Sequence, residues 1–442
     1  MANMLIMVGT QINMVVITIM AIKIKNKRDC TGCEACVQIC PTKAIGFRAD
    51  KEGFSYPKVN KKLCNKCGAC VRVCPVLNPE GKREMLKLYA AKTRDEQLRA
   101  NSSSGGIFSM LAINILSQNG VVFGAKFNEQ WAVVHDYTET IEGLEAFRTS
   151  KYVQSKIGDS FTKAKEFLDA GRLVLFSGTP CQISGLKRFL QKDYDNLLSV
   201  DFVCHGVPSP AVWARYKKEL LTTDSFYTAP ATAERYIDVK SDANFVALPN
   251  PHREFKNICF RDKSRGWGRG YIYFAIDEYG VDSETNQKIK KEYTIGELRT
   301  NNLYTKTFLI NLILRPSCHA CTTKNHHNMS DLTLADFWGI NRFLPEQNDD
   351  KGIGMVILYS DKAVSYYDRL DIDSFELPTN ISLLEQQCLY ISVASHLLRA
   401  HFFRQFSRNR PVLPLIKDIL NFKLPLYEKF RIVWHRRKNE KK

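Results

Sequence analysis

The sequence predicts an α+β domain near the amino terminus, followed by a larger α/β domain. Two observations support this fold class. Eight cysteines fall in two short runs, and the apolar stretches between the runs are broken by Asp50-Lys51-Glu52-Gly53, a pattern typical of a hairpin turn between two strands. From Leu86 onwards, strands, glycine-bearing loops and helices follow one another repeatedly, which indicates an α/β domain.

The two cysteine runs share one spacing, C-x2-C-x2-C-x3-C-P, and the proline after each run stops a short helix. Three closely spaced thiolates hold three corners of one iron-sulfur cube, and the fourth cysteine of each run reaches the other cube, as in bacterial two-cluster ferredoxins. Zinc, whose ligands usually come as two separated pairs, and disulfides fit these runs poorly. We therefore assign one 4Fe-4S cluster to Cys30, Cys33, Cys36 and Cys74, and a second to Cys64, Cys67, Cys70 and Cys40. A ferredoxin-like two-cluster domain is thus expected over residues 23–80.

The chain of 442 residues has room for about three domains by its length. Its formal net charge of +17 raises the question of nucleic-acid binding. Residues 25–80 hold eleven Lys/Arg against five Asp/Glu, a basic shell that offsets the negative charge of bound clusters. Because no nucleic-acid motif and no aromatic-basic stacking pattern is present, a solvated basic face is favoured over nucleic-acid binding.

Residues 1–22 contain no charged residue and are long enough to just span a bilayer. Polar residues lower the hydrophobicity of this segment. It also lacks the preceding basic stretch that a signal peptide has. A second start at Met20 would give a compact ferredoxin domain. We expect an upstream extension or a misassigned start, with a weak membrane anchor as the alternative. Together with cysteines that fall mostly in cluster runs, this favours a reducing, cytoplasmic setting with at most peripheral membrane contact.

After a linker at residues 77–82, the α/β pattern begins. Predicted strands cover residues 121–127, 131–137, 173–177 and 197–203, and predicted helices start near residues 107, 160, 182 and 209. Residues 224–305 have no strong period, although Gly270 to Phe274 indicates a strand. From residue 386 to residue 442, helices and a basic tail are expected.

Six collinear pieces of this second part resemble the beta-subunit family of coenzyme F420-reducing hydrogenases and dehydrogenases. They are S-S-S-G-G at 102–106, S-K-Y-V-Q-S at 150–155, F-S-G-T-P-C-Q at 176–182, D-F-V-C-H-G-V-P-S-P at 201–210, R-P-S-C-H-A-C at 315–321 and S-D-L-T-L-A-D-F-W-G at 330–339. The resemblance implies an α/β flavin-binding domain over residues 86–385 that binds FAD. Ala335 and His319 depart from the family pattern and leave the local geometry near them open.

The resemblance implies FAD contacts at Ser103, Ser104, Gly105, Gly106, Lys151, Tyr152, Thr179 and Gln182. A serine-glycine turn that opens a helix presents backbone N-H groups to a pyrophosphate, although by itself such a turn is only a helix cap. Lys151 would neutralise a phosphate or the reduced flavin, or is an ordinary surface lysine. His205 would relay protons, or is a satisfied loop histidine.

Four further cysteines are candidates for a third 4Fe-4S cluster. Cys181 and Cys204 each follow a predicted parallel strand, at the sheet edge where cofactors collect. Cys318 and Cys321 form a C-x-x-C pair, a spacing that suits a metal, a cluster or a redox dithiol. Combined with the family resemblance, these positions imply the third cluster; the alternative is buried, inert cysteine. Cys259 and Cys388 have no such context and are expected in the core.

These features indicate an FAD- and iron-sulfur-dependent oxidoreductase that passes electrons between 4Fe-4S clusters and a substrate at FAD. The substrate would be an organic molecule or a deazaflavin, and the electron donor a redox partner protein or a small molecule. The alternative is an electron-carrier or docking subunit of a larger redox complex, with no substrate pocket of its own.

Overall fold

The structure is a computed structural model that describes residues 21–423. The uncharged segment predicted as an extension or an anchor falls almost entirely outside the described residues, as does the basic end of the tail. Among residues 21–423, no helix has both the length and the apolar character needed to cross a bilayer.

The described residues form two sheets of four and eight strands, a two-stranded hairpin, and helices packed around them. In chain order, the strands are β1 Ile45–Ala49, β2 Ser55–Val59, β3 Lys87–Thr93, β4 Val121–Phe127, β5 Val133–Thr138, β6 Val174–Ser177, β7 Leu197–Phe202, β8 Arg235–Lys240, β9 Phe245–Asp262, β10 Tyr271–Asp282, β11 Lys288–Leu298, β12 Leu332–Asp336, β13 Gly354–Leu358 and β14 Ile372–Leu377. The α-helices are α1 Ala35–Gln38, α2 Ala69–Arg72, α3 Glu96–Ala100, α4 Ile107–Ser117, α5 Ser160–Asp169, α6 Pro180–Leu190, α7 Pro210–Thr222, α8 Asp224–Thr228, α9 Leu303–Leu309, α10 Asp361–Tyr367, α11 Gln387–Tyr390, α12 Arg399–Phe406 and α13 Val412–Leu420.

The predicted hairpin between the cysteine runs is present. Strands β1 and β2 pair antiparallel, from Ile45 opposite Val59 to Ala49 opposite Ser55. The Asp50 carboxylate closes the turn by accepting the N-H groups of Glu52 (2.9 Å) and Phe54 (3.1 Å). The single-turn helices α1 and α2 flank the hairpin and carry the cysteine runs.

The eight-stranded sheet has the order β14-β3-β13-β12-β7-β6-β4-β5. Its centre, β12-β7-β6-β4, is parallel, as the alternation of strands and helices predicts. Strands β6 and β7 are buried along almost their whole length, including the polar Ser199 and Asp201 of β7, because both faces of the sheet are covered. The sheet as a whole is mixed, however, since antiparallel strands flank the parallel centre on both sides.

Residues 235–298 form a separate antiparallel sheet with the order β8-β11-β10-β9. Only its third strand was anticipated, and only in part. Long two-sided strands carry many charges on the exposed face, so the hydrophobic period is weak. The apolar face of this sheet joins the largest core cluster, together with α7, α12 and α13.

The hairpin turn of the N-terminal part is inserted into this same core. Phe54 is fully buried and lies 6.4 Å from the Phe403 ring, centroid to centroid. Gly53 has a φ of +83°, and a Cβ at this position would lie 2.2 Å from the Cβ of Ala211. The turn therefore needs glycine both for its backbone conformation and for the close approach to α7.

Two acidic residues of the N-terminal part bind groups of the larger part. The Glu34 carboxylate accepts the N-H of Ile157 at 3.1 Å, and burial raises the pKa of Glu34. The Glu52 carboxylate receives both terminal nitrogens of Arg399, at 3.2 and 2.6 Å. A bidentate arginine-carboxylate pair fixes orientation as well as position. The N-terminal part is thus attached to the rest of the chain by polar contacts at two places.

Replacing Phe54 with Ala should lower the free energy of unfolding by about 3–5 kcal/mol, because a large buried ring leaves a cavity. The loss should appear for the whole chain, since Phe54 belongs to a core shared by both parts. Denaturant unfolding followed by cluster absorbance and by tryptophan fluorescence measures it. Leu63→Ala, at a side chain that is 53% exposed, is the control and should change stability by less than about 0.5 kcal/mol. If the unfolding transition followed by tryptophan fluorescence were the same in Phe54→Ala as in the wild type, the two parts would unfold independently.

Candidate iron-sulfur and flavin sites

The first group of cysteines is buried at the joint between the N-terminal part and α6. It consists of Cys30, Cys33, Cys36 and Cys74, all nearly inaccessible to solvent. Burial raises the pKa of the Cys33 thiol, and the charges of Cys74 and Cys30 raise it further. Burial also raises the pKa of Cys36, which in addition lies near the charges of all three other members of the group. These four sulfurs therefore lie close enough to act on one another.

The second group lies at the outer end of the N-terminal part. Cys40, Cys64, Cys67 and Cys70 line one pocket. The Cys70 sulfur accepts the N-H of Ile22 at 3.3 Å, and the Cys40 sulfur accepts the N-H of Ala44 at 3.3 Å. Such N-H groups stabilise a thiolate and tune the potential of a cluster bound to it. Cys67 is exposed to solvent.

In both groups, three cysteines of one run lie with the fourth cysteine of the other run. The structure thus brings together the residues that the crossed assignment requires. No set of three or more His, Cys, Asp or Glu side chains within residues 21–423 is placed to hold a single metal ion. A cube does not need such a set, because each of its cysteines binds a different iron. The assignment of individual ligands stays a prediction.

The third group lines a cleft at the carboxyl ends of β6 and β7. Cys181 is in the first turn of α6, and Cys204 follows β7. Cys318 lies in the 3-10 turn Pro316–Ala320, and Cys321 follows that turn directly. The cleft encloses about 640 Å³ of empty space, including its open mouth. Burial raises the pKa of Cys181 to about 12, and the charges of Cys321 and Cys318 contribute to that shift. The Cys318 sulfur accepts the N-H of Val207 at 3.4 Å.

A fifth cysteine, Cys388, lines the same cleft. The sequence had predicted that Cys388 lies in the core. Its sulfur lies 3.4 Å from Nδ1 of His205, and Nε2 of His205 lies 2.6 Å from the Asn311 amide oxygen. No spacing pattern links Cys388 to the others, so the sequence carried no signal for this placement. Cys259 is half-buried on β9.

The first and third groups contact the same helix. Cys181 is in the first turn of α6, and Gly185 follows one turn later on the same face. A Cβ at Gly185 would lie 2.8 Å from Cβ and 3.0 Å from the sulfur of Cys33. The charge of Cys181 accordingly contributes to the raised pKa of Cys33, whose main cause is burial. Little protein separates the two groups.

The buried guanidinium of Arg315 lies between the two groups. It donates to the backbone oxygens of Cys30 (2.8 Å) and Ser55 (2.9 Å) and to the Gln154 side chain (3.0 Å), and one of its terminal nitrogens lies 3.6 Å from the Cys30 sulfur. The side chain is 1% exposed. Its charge also lowers the pKa values of Cys181 and Cys318, against the larger effect of burial. One cation therefore stabilises thiolates on both sides.

In the serine-glycine turn before α4, the two serine hydroxyls bind other groups of the protein and the glycines pack closely. The Ser103 hydroxyl accepts the N-H of Ser150 at 2.9 Å, and the Ser104 hydroxyl donates to the Ile353 carbonyl at 2.8 Å. Gly106 enters the helix with a φ of +85°. At Gly105, a Cβ would lie 2.2 Å from the backbone oxygen of Ala91 on β3. Packing against β3 is thus sufficient to require glycine at position 105.

Lys151 and Tyr152 lie close to that turn. The Lys151 amine donates to the carbonyls of Arg148 (2.7 Å) and Thr149 (3.2 Å), and burial lowers its pKa to about 7. It is not an ordinary surface lysine. The Tyr152 ring stacks on Phe308 at 4.8 Å.

Thr179 and Gln182 form the cap of α6. The Thr179 N-H donates to the Gln182 side-chain oxygen at 2.9 Å, and the Gln182 amide nitrogen donates to Ser155 at 2.9 Å. Both residues are buried. This capping box positions Cys181 between them.

Arg261, on β9, is a buried cation that the sequence did not reveal. It is 2% exposed, and none of its three guanidinium nitrogens has a hydrogen-bond partner within residues 21–423. One nitrogen faces the Asp336 carboxylate at 3.1 Å without hydrogen-bond geometry. The charges of Tyr152 and Cys259 act on it, so it lies near Lys151. Asp336 compensates the charge of Arg261 through this ion pair, but the buried N-H donors of Nε and Nη1 lack an acceptor, which is costly unless a further group supplies one.

Two residues depart from the family pattern, and one of them, His319, has a buried Nε2 with no hydrogen-bond partner among the described residues. Ala335 pairs with Met355 in the ladder between β12 and β13. Nδ1 of His319 lies 3.0 Å from the Val393 carbonyl oxygen. Neither residue contacts the cysteine groups through these bonds.

Comparison with known proteins matches two segments of the chain. Residues 29–78 match the model of the 4Fe-4S dicluster domain. Residues 171–225 match the model for the C terminus of the coenzyme F420 hydrogenase/dehydrogenase beta subunit. These matches confirm the resemblance and the iron-sulfur character that the sequence predicts. No curated protein matches the chain.

A solved structure similar to the chain is the xenon-derivatized F420-reducing [NiFe] hydrogenase complex from Methanosarcina barkeri. The sequence identity is 12%, and the alignment covers 77% of this chain and 92% of that chain with a TM-score of 0.38. At that score, the likeness carries no argument about this chain.

Replacing Cys40 with Ala should damage the cluster of the second group and leave that of the first group measurable, because Cys40 lies with Cys64, Cys67 and Cys70. Iron content and the EPR spectrum of the reduced protein measure both clusters. Cys74→Ala is the matched control and should do the reverse. If Cys40→Ala removed only the cluster near Cys30, the crossed assignment would be wrong.

Proposed function

We propose that the protein is an iron-sulfur flavoprotein oxidoreductase that passes electrons from its N-terminal 4Fe-4S clusters through a third cluster to FAD, where an organic substrate is reduced. The single observation that carries this proposal is the continuous succession of three four-cysteine groups. The second group lies at the surface, the first at the joint, and the third at the carboxyl edge of the parallel strands. Cofactors collect at that edge in sheets of this type.

Neighbouring groups in this succession lie close to each other. Cys36 of the first group lies near the charge of Cys70 of the second. Cys33 of the first group lies near the charge of Cys181 of the third. A route with short gaps favours transfer of single electrons from the surface to the cleft, and this supports an electron-transfer function.

Several features of the third group support a cluster there. Its four cysteines come from three separate segments, the start of α6, the loop after β7 and the 3-10 turn at residues 316–320, and they converge on one cleft. The Val207 N-H donates to the Cys318 sulfur, and the Arg315 charge favours the thiolate forms of Cys181 and Cys318. Converging thiolates with compensating donors suit an iron-sulfur centre. Cysteines placed in a core only for packing need neither the donors nor the cation.

Three features around Lys151 support the proposal of a bound FAD. FAD takes up electrons singly and delivers them as a pair to a substrate. Arg261 offers unused donors for its phosphates, and the turn at Ser103 and Ser104 lies next to Ser150. Lys151, whose pKa of about 7 follows from burial, would hold a proton when an anionic group lies beside it. Tyr152 offers a stacked aromatic wall.

One observation favours the alternative, an electron-carrier subunit without a substrate pocket of its own. The serine-glycine turn is packed against β3, so its glycine at position 105 is explained without a flavin phosphate. The flavin content of the purified protein separates the two functions. An oxidoreductase of the proposed kind holds close to one FAD per chain, and a carrier holds none.

Replacing both Cys318 and Cys321 with Ser should remove about four of about twelve irons per chain. The reason is that the third group would lose two of its four ligands. Iron and sulfide analysis of anaerobically purified full-length protein measures the loss. Cys388→Ser, in the same cleft but outside the group, is the matched control and should keep all the iron. Equal iron content in the double variant and the wild type would contradict the third cluster.

Replacing Arg261 with Met should release the flavin and leave the iron content unchanged, because the buried donors for the phosphates are lost. Flavin fluorescence after protein precipitation, together with iron analysis, measures the two cofactors separately. Arg265→Met, at an exposed arginine four residues further along, is the control and should keep the flavin. A full flavin complement in Arg261→Met would exclude this arginine from the flavin site.

A further inference from the structure

The second cysteine group is held away from the larger part of the chain by the hairpin. The closed end of the hairpin, at Gly53 and Phe54, is packed into the shared core. Strands β1 and β2 have five residues each, a length of about 17 Å. Cys40 precedes β1 and Cys64 follows β2, so both lie at the open end. The exposed Cys67 belongs to the same pocket.

Five exposed cations surround this pocket, and their positions are tied to its cysteines. They are Lys43, Lys61, Lys62, Lys66 and Arg72. The Lys43 N-H donates to the Cys40 carbonyl at 3.1 Å, and the Arg72 guanidinium donates to the Cys67 carbonyl at 2.9 Å. Lys66 lines the pocket itself. Lys61 and Lys62 lie in the turn that ends at Cys64.

The charges of these five side chains are not neutralised by any carboxylate of the described residues. None of them forms an ion pair with another residue of the described range 21–423. Residues 35–49 and 53–79 contain no Asp or Glu at all. Cations that only compensated the cluster would be buried beside it, as Arg315 is beside the first group. These five residues are instead exposed to solvent.

An exposed apolar side chain lies next to two of these cations, Lys61 and Lys62, in the sequence. Leu63 directly precedes Cys64 and is 53% exposed. An apolar contact surrounded by a charged, solvent-accessible rim is the usual anatomy of a protein-protein interface. The rim charge steers the partner and sets its orientation more than it adds affinity.

We propose that this face, formed by Leu63 and the five cations around the second cysteine group, docks a small acidic electron-carrier protein. The inference rests on the proposed electron-transfer function and adds the entry point and the charge of the donor. Cys40, Cys64, Cys67 and Cys70 would hold the cluster that accepts one electron from the reduced carrier in each encounter, with no bond made or broken. An anionic carrier and an anionic cluster repel each other, so unpaired cations at the contact are needed.

The probe is a purified, reduced, acidic bacterial ferredoxin, mixed with the full-length oxidised protein in a stopped-flow instrument. The test variant carries Lys61→Glu, Lys62→Glu and Lys66→Glu. The matched control carries Lys218→Glu, Lys240→Glu and Lys288→Glu, three exposed lysines of α7 and the antiparallel sheet with the same change in net charge. Iron content and bleaching by dithionite verify that both variants hold their clusters.

At low ionic strength, the second-order rate of cluster reduction should fall about tenfold or more in the test variant and stay within about twofold in the control. The difference should shrink as salt is raised to about 0.5 M, because screening removes the steering. Leu63→Ser should slow the reaction at every salt concentration. Equal slowing of both triple variants, or wild-type rates in the test variant, would overturn the docking face.

A nucleic acid is the other macromolecule that a basic face attracts. Titration with a DNA duplex tests this alternative. The proposal would also be overturned if the protein bound the duplex more tightly than the carrier, and if that binding depended on salt and was lost in the test variant.

In the stopped-flow experiment with the carrier, the readout is bleaching of the N-terminal clusters, which requires neither flavin nor substrate. Absence of flavin from the purified protein would therefore refute the proposed function while the rates still decide the docking face.

Discussion

The burial of Arg315 between two groups of thiolates is the constraint on which the arrangement of the chain depends. A guanidinium that is 1% exposed must find partners, and it finds them in the backbone of Cys30, the backbone of Ser55 and the Gln154 side chain. These partners belong to both parts of the chain. The same residue leads directly into the turn that carries Cys318. Compensation of thiolate charge and attachment of the N-terminal part are therefore one interaction.

The close packing of the two parts follows from this constraint. A ferredoxin domain on a flexible linker would expose the first cysteine group to solvent, whereas here α6 covers it through Gly185. Phe54 and the Glu52–Arg399 pair hold the hairpin at a second point. Such a joint keeps short gaps between successive groups while the second group stays at the surface. The geometry suits a chain that takes in electrons at one end and uses them at the other.

The sequence was informative where function depends on local spacing. The cysteine runs predicted both N-terminal groups because three ligands of each cube lie within seven residues. Strands β4, β6 and β7 were predictable because buried parallel strands are rich in apolar residues, as each of these strands is at its start. The sites of Arg261 and Cys388 were not predictable, because each residue reaches its site through contacts with segments that are distant in the sequence. The antiparallel flanks of the large sheet depend on equally long-range pairing, which no local pattern encodes.

Magnetic interaction between the clusters tests the central claim of a continuous route most directly. In fully reduced protein, EPR should show signals broadened by spin coupling, with fast relaxation at the cluster of the first group caused by its neighbours on both sides. Removal of the third cluster through Cys318 and Cys321 should slow that relaxation, because one neighbour is lost. Independent, uncoupled signals in the fully loaded protein would contradict a route that runs through the joint at Arg315.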